Sequence, residues 1–168
     1  MNFKIFFVLK FTFNKIKNYL KSIKQEYNLY VYSKKNNCHF GKNINFLGPL
    51  INISIGKNTT INNFANFRFR NAKITIGENC LVARNVTILT QSYEVDNKKK
   101  ISVNDMIVKD VSIGNNVLLG SNVIIMPGIS IGSNSVIGAG SVVTKNIGES
   151  EIWAGVPAKL IRKRNAKD

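Results

Sequence analysis

The sequence predicts an all-β fold: a parallel β-helix built from hexapeptide repeats, preceded by an N-terminal α-helix and followed by a C-terminal segment. Three observations predict it. Apolar residues recur every six positions at Ile113, Leu119, Ile125, Ile131, Ile137 and Val143. A second register lies four residues after each, at Val117, Val123, Ile129, Ser135, Ser141 and Ile147. Small or turn-prone residues fill the gaps, as in Gly114-Asn115-Asn116 and Gly132-Ser133-Asn134. This period matches neither a helix nor a simple exposed strand. Short apolar runs separated by turns at a fixed period are the signature of a solenoid whose rungs stack.

The elements follow in chain order. Phe3, Phe6, Phe7, Leu9, Phe13, Ile16, Leu20 and Ile23 recur at roughly helical spacing, with lysines among them. That pattern predicts a basic amphipathic helix within residues 1–37. Two roles stay open for it: packing against the β-domain or a neighbouring subunit, or lying on a membrane surface as a peripheral anchor. The opening MNFKIFFVLKFTF resembles the start of a signal peptide, but Lys10 and Lys15 interrupt the apolar run and no small-residue cleavage site follows. No apolar stretch reaches transmembrane length.

The β-helix is expected over residues 38–168. Upstream of the regular block, Phe40 with Phe46 forms a first rung, followed by Ile55, Ile61 and Phe67, then Ile76, Val82 and Ile88. These sets are offset by nine residues rather than six, which predicts small insertions at corners. The large interruption is Thr90–Asp110, a polar stretch carrying Lys98-Lys99-Lys100, and it predicts an inserted loop at 91–108. Long loops inside regular scaffolds are the usual place for function. Residues 149–168 form a C-terminal tail.

Composition sets wider bounds. The 168 residues suffice for one well-buried domain, and 44% hydrophobic content with 3 Pro argues against disorder or a collagen-like chain. Lys and Arg number 24 against 9 Asp and Glu, a formal charge of +15, which favours anionic partners. Charge alone does not choose among nucleic acid, membrane and phosphorylated small molecules. Cys38 and Cys80 are too few for a disulfide framework and form no CxxC pair, which fits a reduced, cytoplasmic setting. Cys80 falls at a core-facing position and reads as a small buried hydrophobe.

The runs VSIGNNVLLGSNVIIMPGISIGSNSVIGAGSVVTKNI (111–147) and WAGVPAKLIRK (153–163) resemble the hexapeptide-repeat acyltransferases, within them the galactoside, maltose and capsular-polysaccharide O-acetyltransferases. The similarity spans most of residues 55–163. It implies a left-handed parallel β-helix, a handedness that periodicity alone does not supply, since parallel crossovers are ordinarily right-handed. It also implies a homotrimer with acetyl-CoA as co-substrate in a groove between neighbouring β-helices, and a long loop reaching over the adjacent subunit.

Carried over by position, the resemblance implies that Ser121, Ala139, Gly140, Thr144, Lys145, Trp153, Lys159 and Arg162 contact the coenzyme. Small residues let a pantetheine arm lie close to main-chain amides, and cations meet its phosphates. Trp153 has two open readings, packing on the pantetheine or adenine and packing at a subunit contact. The bland readings are tight corners for Ala139 and Gly140 and a solvated basic tail for Lys159 and Arg162. Asn66, in Ala65-Asn66-Phe67, matches the segment whose asparagine lines the acceptor pocket; the alternative is an asparagine at a turn.

The pattern breaks at the general base. The family histidine follows an Ile-x-Thr-x-x segment, here Ile88-Leu89-Thr90-Gln91-Ser92, and the next residue is Tyr93. Imidazole suits the task because it titrates near working pH, whereas a phenol does not. Glu94 is a nearby substitute candidate, with Asp96 beside it; solvated loop acids are the plainer reading. His39, the only histidine, lies several rungs upstream and reads as a surface residue.

The function expected is therefore O-acetylation of a sugar hydroxyl, of a surface polysaccharide or its precursor. The alternatives are a non-catalytic β-helix protein that binds acyl-CoA or glycan, and an amino-sugar N-acetyltransferase, since an amine attacks with less help from a base. A nucleotide sugar is a further acceptor class, and peripheral contact with a membrane is a possible partner of the N-terminal helix. No metal is expected: one histidine is too few for the zinc-binding β-helix enzymes related to carbonic anhydrase. No nucleic acid is expected either, because no aromatic-plus-basic reading platform accompanies the charge.

Overall fold

The computed structural model describes residues 28–94 and 105–165. Residues 28–36 are helical, while the amphipathic pattern at 3–23 lies outside the described residues. The chain divides into two compact units, Met1–Lys35 and Asn36–Asp168. Among the described residues no helix is long and apolar enough to cross a membrane.

In the second unit the backbone winds through short strands that form three parallel faces. The first face stacks His39–Phe40, Thr60–Ile61, Leu81–Val82, Leu118–Leu119, Val136–Ile137 and Glu151–Ala154. On the second lie Asn45–Leu47, Asn66–Arg68, Thr87–Leu89, Ile124–Ile125 and Val142–Val143. The third holds Ile53–Ile55, Ile74–Ile76, Val111–Ile113 and Ser130–Ile131, and Ile147 continues it as a bridge to Ile131. Each strand pairs in register with its counterpart one coil away, so side chains of like position stack in columns along the axis.

Both sequence registers point inward. Ile113, Val117, Leu119, Val123, Ile125, Ile129, Ile131, Ile137, Val143 and Ile147 are all buried. Each such side chain contributes roughly 1.5–3 kcal/mol on burial. Phe67 stacks on Phe46 at 5.0 Å between centroids, so the second-face column is aromatic at its amino-terminal end and aliphatic beyond.

The buried polar residues Thr59, Thr90, Ser135 and Ser141 all have hydrogen-bond partners, whereas the buried side-chain oxygen of Gln91 has none among the described residues. Thr59 donates to the Gly77 carbonyl at 2.7 Å and Ser135 to Gly148 at 2.8 Å. Ser141 donates to Gly138 and accepts from the Gly155 amide. Cys80 shares the Thr59 column, and its thiol donates to the Gly114 carbonyl at 3.1 Å, so it is buried and hydrogen-bonded. Burial pushes the Cys38 and Cys80 thiols up, against the opposing effect of their hydrogen bonds. Both remain free thiols.

The insertions fall on one edge. Successive coils repeat after 21, 21, 37 and 18 residues. The excess over 18 enters each time where the second face turns into the third. There Leu50–Asn52 forms a 3-10 turn, and Phe69 is fully buried below Gly48. The 37-residue coil places its long insertion at the same edge. The loop expected at 91–108 begins and ends as strand: Gln91–Tyr93 pairs antiparallel with Met106–Val108. Period-six reading misses this hairpin because its strands carry no repeat of their own.

Candidate active site

The second face and its edges gather most of the residues singled out in the sequence. Its outward positions alternate with the buried column. Asn66, Arg68, Thr87 and Leu89 therefore lie on one surface, beside Ile124 and Val142 from later coils. Asn66 is half-buried, and its side-chain amide donates to the Phe64 carbonyl at 2.9 Å. The chain then leaves this face at Thr90, whose amide and hydroxyl both donate to the Arg68 carbonyl, at 3.0 and 3.2 Å.

Tyr93 ends the first strand of the hairpin opposite Met106 and is exposed. Glu94 is also exposed, and its amide donates to the Asp105 carbonyl at 2.8 Å. His39 lies on the first face of the first coil, two coils before the strand that leads to Tyr93. At about 4.8 Å per strand that offset, with the change of face, keeps the imidazole out of this group.

Small residues line the edge between the first and second faces. Gly140 donates its amide to the Ser121 carbonyl at 2.8 Å, joining two of the coenzyme candidates across neighbouring coils. A corner column of left-handed residues runs along this edge: Asn43, Phe64, Asn85, Asn122 and Gly140, with φ from +56 to +72 at the Asn and Gly positions and +64 at Phe64. A Cβ added at Gly140 would have nothing within 4 Å, so this corner is open to solvent beside the exposed Ala139. The absence of a side chain there leaves the backbone accessible to an extended thioester arm. Thr144 and Lys145 are exposed at the far edge of the same coil.

Three other candidates stand elsewhere. Trp153 pairs with Ile137, whose side chain fills the interior, so the indole sits at the end of that inward column. Its N–H donates to Glu151 at 2.8 Å, and the same carboxylate accepts the Gly148 amide and the Lys163 ammonium. Trp153 is thus built into the terminal coil rather than displayed on the second face. Hydrogen bonds from Lys163 and Trp153 hold the Glu151 carboxyl below its usual range. Lys159 and Arg162 belong to Lys159–Lys163, which pairs antiparallel with Glu151–Ala154, and both are exposed. Among the described residues no group of three or more His, Cys, Asp or Glu gathers as a metal site.

Sequence reasoning missed Phe64. It is a bulky side chain, 51% exposed, at a left-handed corner where the neighbouring coils place Asn. Such a conformation costs about 1–2 kcal/mol for a non-glycine residue and marks a site where backbone strain is maintained. The signal was available: Asn43, Phe64 and Asn85 share one corner position in successive coils.

Comparison with known proteins gives the geometry a family. Residues 110–145 match the model for the hexapeptide repeat of succinyl-transferase. The galactoside O-acetyltransferase of Escherichia coli (strain K12) is 42% identical over 120 residues, which cover 70% of this chain and 57% of that protein. The chain thus spans little more than half the length of that relative. Among solved structures, a maltose O-acetyltransferase from Clostridium difficile 630 is 38% identical with a TM-score of 0.62, over 76% of this chain and 67% of that one. A galactoside acetyltransferase in complex with coenzyme A is 35% identical with a TM-score of 0.60, over 81% and 69%. The chain belongs to the hexapeptide-repeat acyltransferases and shares their left-handed parallel β-helix.

Proposed function

We propose that the protein is an acetyl-CoA-dependent O-acetyltransferase acting on a sugar hydroxyl, of a surface polysaccharide or its precursor. One observation carries this reading: the strand bearing Asn66 begins at the same edge of the β-helix on which the open Ala139–Gly140 corner lies, coils further along. Relatives that share this fold are named for acetyl transfer to galactosides and maltose, and one of them holds coenzyme A.

In the reaction the acceptor hydroxyl attacks the thioester carbonyl. A C–O bond forms, the C–S bond breaks, and the hydroxyl proton leaves to a base while the thiolate takes a proton. Asn66 orients the acceptor through its amide. Ser121, Ala139 and Gly140 let the thioester arm lie along the backbone, and Lys145, Lys159 and Arg162 offer cations for the coenzyme phosphates. Tyr93 occupies the position at which the family resemblance implies the general base, with Glu94 next to it.

Self-association into a trimer completes the proposal. The outward row of the first face is apolar at Leu81, Leu118, Val136 and Ile152, and Leu81 and Leu118 are 43% and 37% exposed. A neighbouring copy covering this row would bury it and close a groove over the adjacent edge.

One observation favours a second reading. No imidazole reaches the second face, and an amine acceptor attacks with less base assistance, so an amino sugar is the alternative acceptor. Thioester consumption with a panel of glycans, amino sugars and nucleotide sugars tests both. Turnover with hydroxyl acceptors is expected, turnover confined to amines selects the second reading, and binding of acetyl-CoA without turnover on any acceptor overturns both.

A further inference from the structure

The acceptor side of the site lies at the cationic end of the β-helix. Between Cys38 and Gly77 the chain carries Lys42, Lys57, Arg68, Arg70 and Lys73 and no Asp or Glu. Within it, Asn66-Phe67-Arg68-Phe69-Arg70 alternates strictly. Phe67 and Phe69 are fully buried, Arg68 is exposed on the side that Asn66 occupies, and Arg70 is exposed in the bend that follows the strand. The buried rings on either side turn Arg68 outward, and it stands roughly 7 Å along the strand from Asn66.

Arg68 is the sole charged residue in the three strands Asn45–Leu47, Asn66–Arg68 and Thr87–Leu89. Leu47 and Leu89 flank it in register, offering apolar surface to its stem while the guanidinium faces water. Its carbonyl anchors Thr90, three residues before Tyr93. Among the described residues neither Arg68 nor Arg70 has an acidic partner. Asp110 accepts the Lys73 amide at 2.7 Å, and Glu94 and Asp105 lie together beyond the paired hairpin strands. An exposed guanidinium without an acidic partner, on the strand between the acceptor asparagine and the hairpin, suits a planar anion.

We propose that Arg68, supported by Arg70, recognises a carboxylate or phosphate of an anionic acceptor glycan and so selects against neutral sugars. The proposal deepens the reading of this face as an acceptor site and rests on it. Because Arg68 acts on binding, it changes the acceptor KM and leaves the acetyl-CoA KM alone. Added salt weakens the acceptor interaction, since an exposed charge pair is screened within about 8 Å at physiological ionic strength.

The test is calorimetric binding to the full chain, run beside turnover. The probes are a carboxylate-bearing oligosaccharide, its carboxyl-reduced form, and a phosphodiester-bearing glycan; the two charged probes distinguish the two anion sources. Binding of at least one charged probe is expected, with the carboxyl-reduced form weaker. Arg68→Ala should lose roughly ten- to a hundredfold, Arg68→Lys should recover part of it, and Lys57→Ala, on another edge, should change little. Equal binding of charged and reduced probes, equal loss for both in Arg68→Ala, or no binding of any probe overturns the proposal. Arginine-dependent binding without turnover would sustain it while overturning acyl transfer.

Discussion

The indole N–H of Trp153 donates to the Glu151 carboxylate at 2.8 Å, and this pair closes the open end of the coil stack. A β-helix must end somewhere, and its last coil exposes an interior column and an unpaired strand edge. Here the last strand of the first face places Trp153 over Ile137, and Glu151 gathers the indole, the Gly148 amide and the Lys163 ammonium. The returning strand Lys159–Lys163 then covers the edge in antiparallel sense.

That closure makes stability depend on pH. Hydrogen bonds from Lys163 and Trp153 lower the Glu151 pKa in the folded protein. The contribution is therefore complete above the unfolded carboxylate value and is lost as pH falls through the depressed folded value. Glu151→Gln should lower stability at neutral pH by on the order of 1 kcal/mol, the exposed Lys163 end being screened by solvent. Thermal unfolding of both proteins across acid pH checks this: the two curves should converge in acid, and a constant gap would contradict the assignment.

Two glycines on one edge should behave oppositely. A Cβ at Gly120 would come within 2.6 Å of the Ala139 amide nitrogen, whereas one at Gly140 meets nothing within 4 Å. Gly120→Ala should destabilise the fold by about 1–3 kcal/mol through backbone displacement. Gly140→Asn copies the left-handed Asn122 one coil earlier and should keep the melting temperature, but it puts a side chain into the open space beside Ala139. The acetyl-CoA KM should then rise roughly tenfold, equivalent to about 1.4 kcal/mol. Unchanged coenzyme affinity would place the thioester arm elsewhere.

Much of this architecture is legible in the sequence because the interior of a β-helix repeats. Ile113, Leu119 and Ile125 report their column by period alone, and the nine-residue offsets locate the corner insertions. What the period does not carry is the exception. Ser135 and Ser141 read as weak members of an apolar register, yet each is a buried donor with a specific carbonyl partner. Gln91–Tyr93 and Met106–Val108 form a hairpin through mutual pairing that neither segment encodes alone. Trp153 leaves both a coenzyme contact and a subunit contact open by motif, and its register with Ile137, which no motif carries, puts it at the end of the interior column.

Tyr93 supplies a direct test of the missing base. It is exposed at the end of a paired strand, so a smaller ring fits there without repacking. Tyr93→His should raise kcat for a hydroxyl acceptor by roughly a hundredfold and add a pH-rate limb near about 6.5. Tyr93→Phe should lower an existing activity by no more than about tenfold, the effect of one lost hydrogen bond. Complete loss in Tyr93→Phe would instead make the phenol indispensable, and no gain in Tyr93→His would place the base on another group.

Phe64 offers the sharpest separation of stability from function. Its corner conformation, φ +64, suits Asn, and Asn43 and Asn85 occupy the same corner in the coils on either side. Folding would be served by a third asparagine, so the aromatic ring is retained against a local cost. Its carbonyl accepts the Asn66 side chain, which places the ring at the rim of the proposed acceptor surface. An exposed aromatic face there suits the apolar face of a sugar ring. Phe64→Asn should therefore raise stability by about 1 kcal/mol while lowering kcat/KM for the glycan and leaving the acetyl-CoA KM unchanged. Unfolding and steady-state kinetics on the same preparation decide it: if the variant is no more stable, the strain argument fails, and if the glycan is used as well as before, the ring has no part in acceptor binding.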